Sequence, residues 1–252
     1  MLARDSFLIF MIAVTSCACV KSPTPETKAP NPAPVKKRNV SLQVRPMLAG
    51  DSTTWRWKGQ VLNKNGDGFV EAEGTLVELI RNVDVEGKPA LVKEVKEKAD
   101  AKGDRPAFVV NQSQIFYFSN ADGSQRAVRR IRMVEGKMLS DDIENWKPFP
   151  RVIRQDMEFK HAPEFGKQKI NESIYLGKVS DQRVQTKTLS SLEYRSVTTN
   201  GTVQILTQGS YAPSLHGLTN FTRTIVLDNK KFVVKYNLVS SSMLTEQIPS
   251  MR

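Results

Sequence analysis

The sequence predicts a mainly β protein, either an antiparallel β-sandwich or a curled, partly open β-barrel with one or two short helices. Apolar and polar residues alternate with a period of two after residue 40, β-branched and threonine-rich segments recur in the carboxy-terminal half, and turn-forming dipeptides separate these segments. Of the 252 residues, 39% are hydrophobic and 25% are charged. This composition is typical of a globular domain and excludes a disordered chain or a protein with many membrane spans.

The first sixteen residues predict a secretory signal peptide. Arg4 lies near the start, and an unbroken apolar run follows from Phe7 to Val14. At about 1.5 Å per residue in a helix, this run is too short to cross a hydrocarbon core of about 30 Å. We therefore expect residues 1–16 to be removed rather than to span a membrane.

The end of this segment, Val14-Thr15-Ser16-Cys17, resembles the lipobox of bacterial lipoprotein precursors. The resemblance implies that Cys17 becomes the first mature residue and carries fatty acids such as palmitate. Ala18 follows it, which by similarity to enterobacterial sorting implies an outer-membrane anchor facing the periplasm. The alternative is ordinary signal cleavage after Ala18, which would leave Cys19 as a free thiol in a soluble periplasmic or secreted protein.

Residues 17–39 predict an extended tether. Proline is frequent in this segment and excludes helix and central strand, so the chain should be solvated and extended. The segment is also basic, and it could lie against anionic lipid headgroups or act only as a solubilising spacer. Its prolines are residues 23, 25, 30, 32 and 34, and its basic residues after the first proline are Lys28, Lys36, Lys37 and Arg38.

Residues 40–252 predict the β-rich periplasmic domain. A break at Lys147–Pro150 either divides it into lobes 40–147 and 148–252 or lies within one continuous sheet system. Hairpin turns are indicated by dipeptides that tolerate positive φ. These turns are Asn65–Gly68, Asp122-Gly123, Asn200-Gly201 and Asp228-Asn229. The clearest strands are 40–44, 54–59, 68–81, 107–119, 173–179, 184–197, 202–208, 221–227 and 231–239.

Two segments are candidates for the short helices. Residues 89–102 place Leu91, Val95 and Ala99 on one helical face, although the same residues also suit a strand. Residues 141–146 begin with the Asp-x-x-Glu pattern of a capping box.

Motifs for catalysis or metal binding are missing. The Asn63–Gly68 segment resembles the start of a calcium loop, but Gly74 stands where the closing glutamate is needed. Ser210, His216 and Asp228 could be written as a triad, but any serine-rich chain supplies such a trio. We therefore expect a protein that is not an enzyme and holds neither metal nor cofactor.

Two sets of residues are candidates for ligand contacts. The chain carries a net charge of +11, and Arg126, Arg130 and Arg132 would share one outward strand face and attract an anionic ligand. The alternative is a solvated strand face that protects a sheet edge. Aromatic side chains could line an apolar pocket or simply fill the core. These aromatic candidates are Trp55, Trp57, Phe116 and Phe118.

These observations predict a lipid-anchored protein of the cell envelope with a non-catalytic binding or structural role. Its outline resembles the curled sheets of bacterial lipoprotein carriers and lipid-binding envelope lipoproteins, which implies a lipid or another apolar or anionic envelope ligand. A protein-interaction subunit of an envelope complex is the alternative, and an envelope hydrolase is the third. A secretion signal makes nucleic acid an unsuitable partner despite the basic charge.

Overall fold

A computed structural model describes most of the predicted periplasmic domain. The described residues are 40–65, 68–100, 106, 108–121, 124–143, 149–161, 164–165, 168–169, 171–199, 203–227 and 230–244. The signal peptide, Cys17 and the proline-rich tether of the sequence prediction lie outside these residues. Within the described part, no helix is long and apolar enough to cross a bilayer.

The described chain is almost entirely β-structure. Its strands are β1 (Ser41–Gln43), β2 (Ser52–Leu62), β3 (Phe69–Val85), β4 (Lys88–Asp100), β5 (Val110–Ser119), β6 (Gln125–Val134), β7 (Lys137–Ile143), β8 (Val152–Arg154), β9 (Met157–His161), β10 (Glu164–Phe165), β11 (Gln168–Lys169), β12 (Asn171–Val184), β13 (Lys187–Thr199), β14 (Gln204–Ala212), β15 (Gly217–Leu227) and β16 (Lys230–Ser241). Two 3₁₀ turns, Pro213–Leu215 and Ser242–Leu244, complete the described elements.

Twelve strands form one antiparallel sheet in the order β7-β6-β5-β4-β3-β2-β16-β15-β14-β13-β12-β9. Strands β2 to β7 form one meander and β12 to β16 form the other. The two meanders are joined by the pairing of β2 with β16, in which Trp57 lies opposite Tyr236. The antiparallel β fold class predicted from the sequence is therefore confirmed.

Hairpins account for most connections in this sheet. Strands β2 and β3 pair up to Leu62 and Phe69, on either side of the turn predicted at Asn65–Gly68. Likewise, β15 and β16 pair up to Leu227 and Lys230. Short hairpins of this kind bring strands that are adjacent in sequence side by side.

A small second layer covers one half of the large sheet. Strands β1 and β8 pair with each other, and their register places Leu42 opposite Ile153. Ile153 is completely buried, and it belongs to an apolar cluster with Leu176 and Leu192 of strands β12 and β13. The molecule is therefore a curled sheet whose carboxy-terminal half is packed like a sandwich.

A second apolar cluster fills the centre of the sheet, where the two meanders meet. Trp57 is 2% exposed and packs with Trp55, Phe221 and Tyr236. The rings of Phe221 and Tyr236 are stacked with centroids 4.4 Å apart. Burial of four large aromatic side chains makes this cluster a major source of stability in a domain without disulfides.

The helical alternative for residues 89–102 is wrong for residues 89–100; residues 101–102 lie outside the described residues. Residues 88–100 form β4, which pairs with β3 on one side and β5 on the other. The two ladders satisfy the backbone groups of β4 on both sides, which outweighs a local helix preference. The capping-box prediction at 141–146 is also wrong for residues 141–143, because these end β7; residues 144–146 lie outside the described residues.

Candidate functional site

The faces of the sheet follow from the strand registers. Trp55 lies opposite Leu76, Leu76 opposite Glu97, and Glu97 opposite Asn111, so these four side chains share one face. Because alternate residues of a strand point to opposite faces, the odd-numbered residues of β5 lie on this face too. We call it the inner face, since it carries the buried aromatic cluster, and we call the other the outer face.

The structure does not bring the four predicted pocket aromatics together. Trp55 and Trp57 lie on the inner face, buried in the core. Phe116 and Phe118 are even-numbered residues of β5 and lie on the outer face. The predicted apolar pocket is therefore not formed by this set, because the strand period separates its members.

The predicted basic stripe is also divided. Arg130 and Arg132 lie opposite Ile115 and Ser113 on the inner face, but a bulge in β6 puts Arg126 opposite Phe118 on the outer face. A bulge adds one residue to one strand and so reverses the side-chain alternation beyond it. The three arginines therefore do not form one outward surface.

A cavity of about 240 Å³ opens where the two halves of the sheet face each other. Tyr117 and Ala127 contribute its wall from β5 and β6, while Glu172 and Tyr194 contribute it from β12 and β13. Phe149, outside the strands, also lines it and stacks on the ring of Tyr211 at 5.2 Å. The wall therefore combines aromatic and apolar surface with a few charged side chains, one carboxylate and the two arginines Arg45 and Arg151.

Residues 44–47, which we call the strap, line the cavity on another side. Gln125 holds Met47 with two hydrogen bonds: the amide N–H of Met47 donates to Oε1, and Nε2 donates to the Met47 carbonyl, each at 3.0 Å. Arg45 forms an ion pair with Asp51, whose side chain is only 5% exposed. The strap is thus fixed by polar contacts at Arg45 and at Met47.

His216 lines the same cavity. Its Nδ1 lies 2.9 Å from the carbonyl oxygen of Arg45. Since a carbonyl can only accept, Nδ1–H is the donor, and the Nε2 of the neutral ring is left as an acceptor. Burial, followed by the positive charge of Lys93, lowers the pKa of His216 to about 4, so the ring is neutral at physiological pH.

Glu172 is the carboxylate of the cavity wall. Burial raises its pKa above the usual glutamate range, against the opposing effects of Arg130, a hydrogen bond from Thr198 and Arg223. Desolvation therefore outweighs the nearby positive charges. A glutamate in this state gains free energy from a cation or hydrogen-bond donor that approaches it from the cavity.

Charged and aromatic groups also pair deeper on the inner face. The guanidinium of Arg223 lies 5.2 Å from the ring centroid of Phe221 and 5.1 Å from that of Tyr236. The hydroxyl of Tyr236 donates to Glu97 at 2.9 Å. Burial alone lowers the pKa of Lys93, but Glu78, which lies 2.7 Å away, raises it overall. Arg223, Glu97 and the pair of Lys93 with Glu78 thus all interact with other groups of the protein.

The triad written from the sequence does not assemble in the described residues. Ser210 accepts a hydrogen bond from Gln182, and Nδ1 of His216 faces a backbone carbonyl rather than a carboxylate. Asp228 lies outside the described residues. The histidine is therefore not oriented as a general base by this set.

The cavity residues could not have been chosen from the sequence. Glu172, Tyr194 and the strap belong to separate segments that meet only after the sheet curls. The local signals in the sequence are the aromatic run Phe116–Phe118, which includes Tyr117, and the isolated His216.

Comparison of the chain with protein-family models, curated proteins and solved structures found no match.

Proposed function

We propose that the chain is a non-catalytic binding protein of the bacterial cell envelope, anchored by lipid on Cys17, that holds a small amphipathic ligand in its cavity. The cavity of about 240 Å³ between the two halves of the sheet is the observation that supports this proposal. Its wall offers aromatic surface for an apolar part and the Glu172 and His216 acceptors for a polar part. An anchor facing the periplasm would keep such a binding site close to the membrane.

Binding of the fluorescent apolar probe N-phenyl-1-naphthylamine tests this function. Ala127 lines the cavity and is 3% exposed, so Ala127→Leu should fill part of the space. We expect saturable binding at one site by the native chain and a loss of roughly tenfold or more in affinity for this variant. Ala49→Leu, which adds the same atoms at an exposed residue, is the control and should bind normally.

Absence of saturable binding to the native chain would contradict the proposal. Equal binding by Ala127→Leu and Ala49→Leu would show that the probe binds outside the cavity. Circular dichroism and thermal unfolding of both variants would show that any loss is not a loss of the fold.

An interaction with another envelope protein is the second candidate function. Strand β7 is at one edge of the large sheet, and it carries Met138 and Leu139 with side chains 65% and 50% exposed. Edge strands can add a strand from a partner, and exposed apolar residues strengthen such contacts. Replacing both residues with lysine should abolish a specific cross-linked product in the envelope if this function is correct.

A further inference from the structure

The polar groups of the cavity define the class of ligand that it would take. This inference rests on the proposed binding function and adds the charge of the ligand. Two residues of the wall carry acceptor atoms, Glu172 with its carboxylate and His216 with its Nε2, since Nδ1 donates to Arg45. Two donors of the wall are already engaged: the guanidinium of Arg45 makes two hydrogen bonds to Asp51, and the amide of Gln125 donates to Met47. Arg151, the other arginine of the wall, is an exposed residue.

Aromatic rings surround the same space. Tyr117, Phe149 and Tyr194 line the cavity, and the Phe149 ring lies 6.0 Å from that of His216. The faces of aromatic rings carry partial negative charge and attract cations, most strongly where water is excluded. The rings and the acceptors therefore both favour a positively charged group in the cavity.

We propose that the cavity binds an amphipathic amine, with its protonated nitrogen directed at Glu172 and its hydrocarbon part against the aromatic and aliphatic wall. The ammonium donates hydrogen bonds to the Glu172 carboxylate and to Nε2 of His216. The cation-binding group is thus provided by β12, while the rings come from both halves of the sheet and from the segment before β8.

Calorimetric titration with n-octylammonium and with octanoate, two probes of equal chain length and opposite charge, tests this inference. The whole chain carries a net charge of +11, which favours octanoate at long range. We nevertheless expect octylammonium to bind roughly tenfold or more tightly, because the local carboxylate and rings determine the contact. Octanoate binding as tightly as the amine would overturn the inference.

Glu172→Gln tests the role of the carboxylate by removing its negative charge from the cavity wall. It keeps the size of the side chain and should weaken octylammonium binding by roughly ten- to a hundredfold, a larger loss than for the uncharged N-phenyl-1-naphthylamine. Glu71→Gln makes the same change at an exposed residue of β3 on the outer face and should leave both affinities unchanged. An unchanged octylammonium affinity in Glu172→Gln would contradict the assignment of the carboxylate.

A second pair of variants tests the aromatic contribution. Tyr117→Phe keeps a ring in the wall and should retain most of the octylammonium affinity, whereas Tyr117→Leu should reduce it about three- to fivefold. If the neutral naphthylamine binds in the cavity but the amine shows no preference over octanoate, only the ligand class is wrong. If no probe binds the native chain, the proposed binding function itself fails.

Discussion

At the scale of single residues, the burial of His216 has a measurable consequence for stability. Its pKa is lowered to about 4 in the folded protein, against 6.5 for an ordinary histidine. The unfolded chain therefore binds a proton more readily than the folded chain between these two values. As the pH falls from about 6.5 towards 4, the free energy of unfolding should decrease by up to about 3 kcal/mol from this group.

His216→Asn isolates this contribution. The backbone of residue 216 has φ of 46°, a left-handed conformation that asparagine tolerates better than most residues. We expect urea unfolding between pH 7 and pH 4 to show a flatter stability curve for the variant than for the native chain. Parallel curves would mean that His216 binds a proton as readily in the folded protein as in the unfolded chain.

Gly74 shows how tightly the central aromatic cluster is packed. A Cβ at this residue would overlap the carbonyl oxygen of Lys98 and lie 2.9 Å from Cε2 of Trp57. Gly74→Ala should therefore lower the free energy of unfolding by about 3 kcal/mol, since the backbone cannot yield without moving β4. Gly217→Ala, whose Cβ would lie 3.5 Å from its nearest neighbour, should cost far less in the same denaturant titration.

At the scale of elements, the strap depends on one side chain of β6. Gln125→Leu would leave both backbone groups of Met47 without their partner and should destabilise the strap by about 2 kcal/mol. Hydrogen exchange at the Met47 amide should then accelerate, while exchange in the central strands β2 and β16 should change little.

Gln114→Leu is the control for this change. Gln114 lies on the outer face of β5, where its amide donates to Glu94 at 3.4 Å. Its replacement should leave Met47 exchange as it is in the native chain. Equal acceleration by both variants would show that loosening of the sheet, rather than loss of the clamp, is responsible.

The strands were predictable from the sequence because their alternation and turn signals are local. Residues 89–102 are ambiguous from the sequence, since Leu91, Val95 and Ala99 suit a helical face as well as a strand. For residues 89–100, only the ladders to β3 and β5 decide between them. The bulge in β6 was also invisible, and it moved Arg126 to the outer face. In a regular strand, Arg126, Arg130 and Arg132 would share one face, and the one inserted residue separates Arg126 from the other two.

At the scale of the whole molecule, pairing of β2 with β16 creates the site indirectly. It joins an early meander to a late one, so that Tyr117 and Glu172 line the same cavity although they are far apart in sequence. The strap that lines this cavity is separated from the proline-rich tether only by Val40 and β1. The cavity could not be predicted because its wall depends on the curl of the sheet, which no local pattern encodes.

The membrane anchor is a separate property of the whole chain, and Cys17→Ala tests it. Each buried CH₂ contributes about 0.8 kcal/mol, so two or three acyl chains hold a protein on a bilayer stably. Metabolic labelling with radioactive palmitate should show a labelled native chain and an unlabelled precursor of the variant. A variant that is still acylated and fractionates with membranes would disprove the assignment of the anchor to Cys17.

Native mass spectrometry of the protein purified from envelopes of its own cells tests the central claim most directly. Spectra should show one small molecule per chain that is released by organic extraction, carries an amine, and is absent from Ala127→Leu but present in Ala49→Leu. A native chain without any bound small molecule would contradict a ligand-binding function at this site. So would an Ala127→Leu variant that retains the bound molecule.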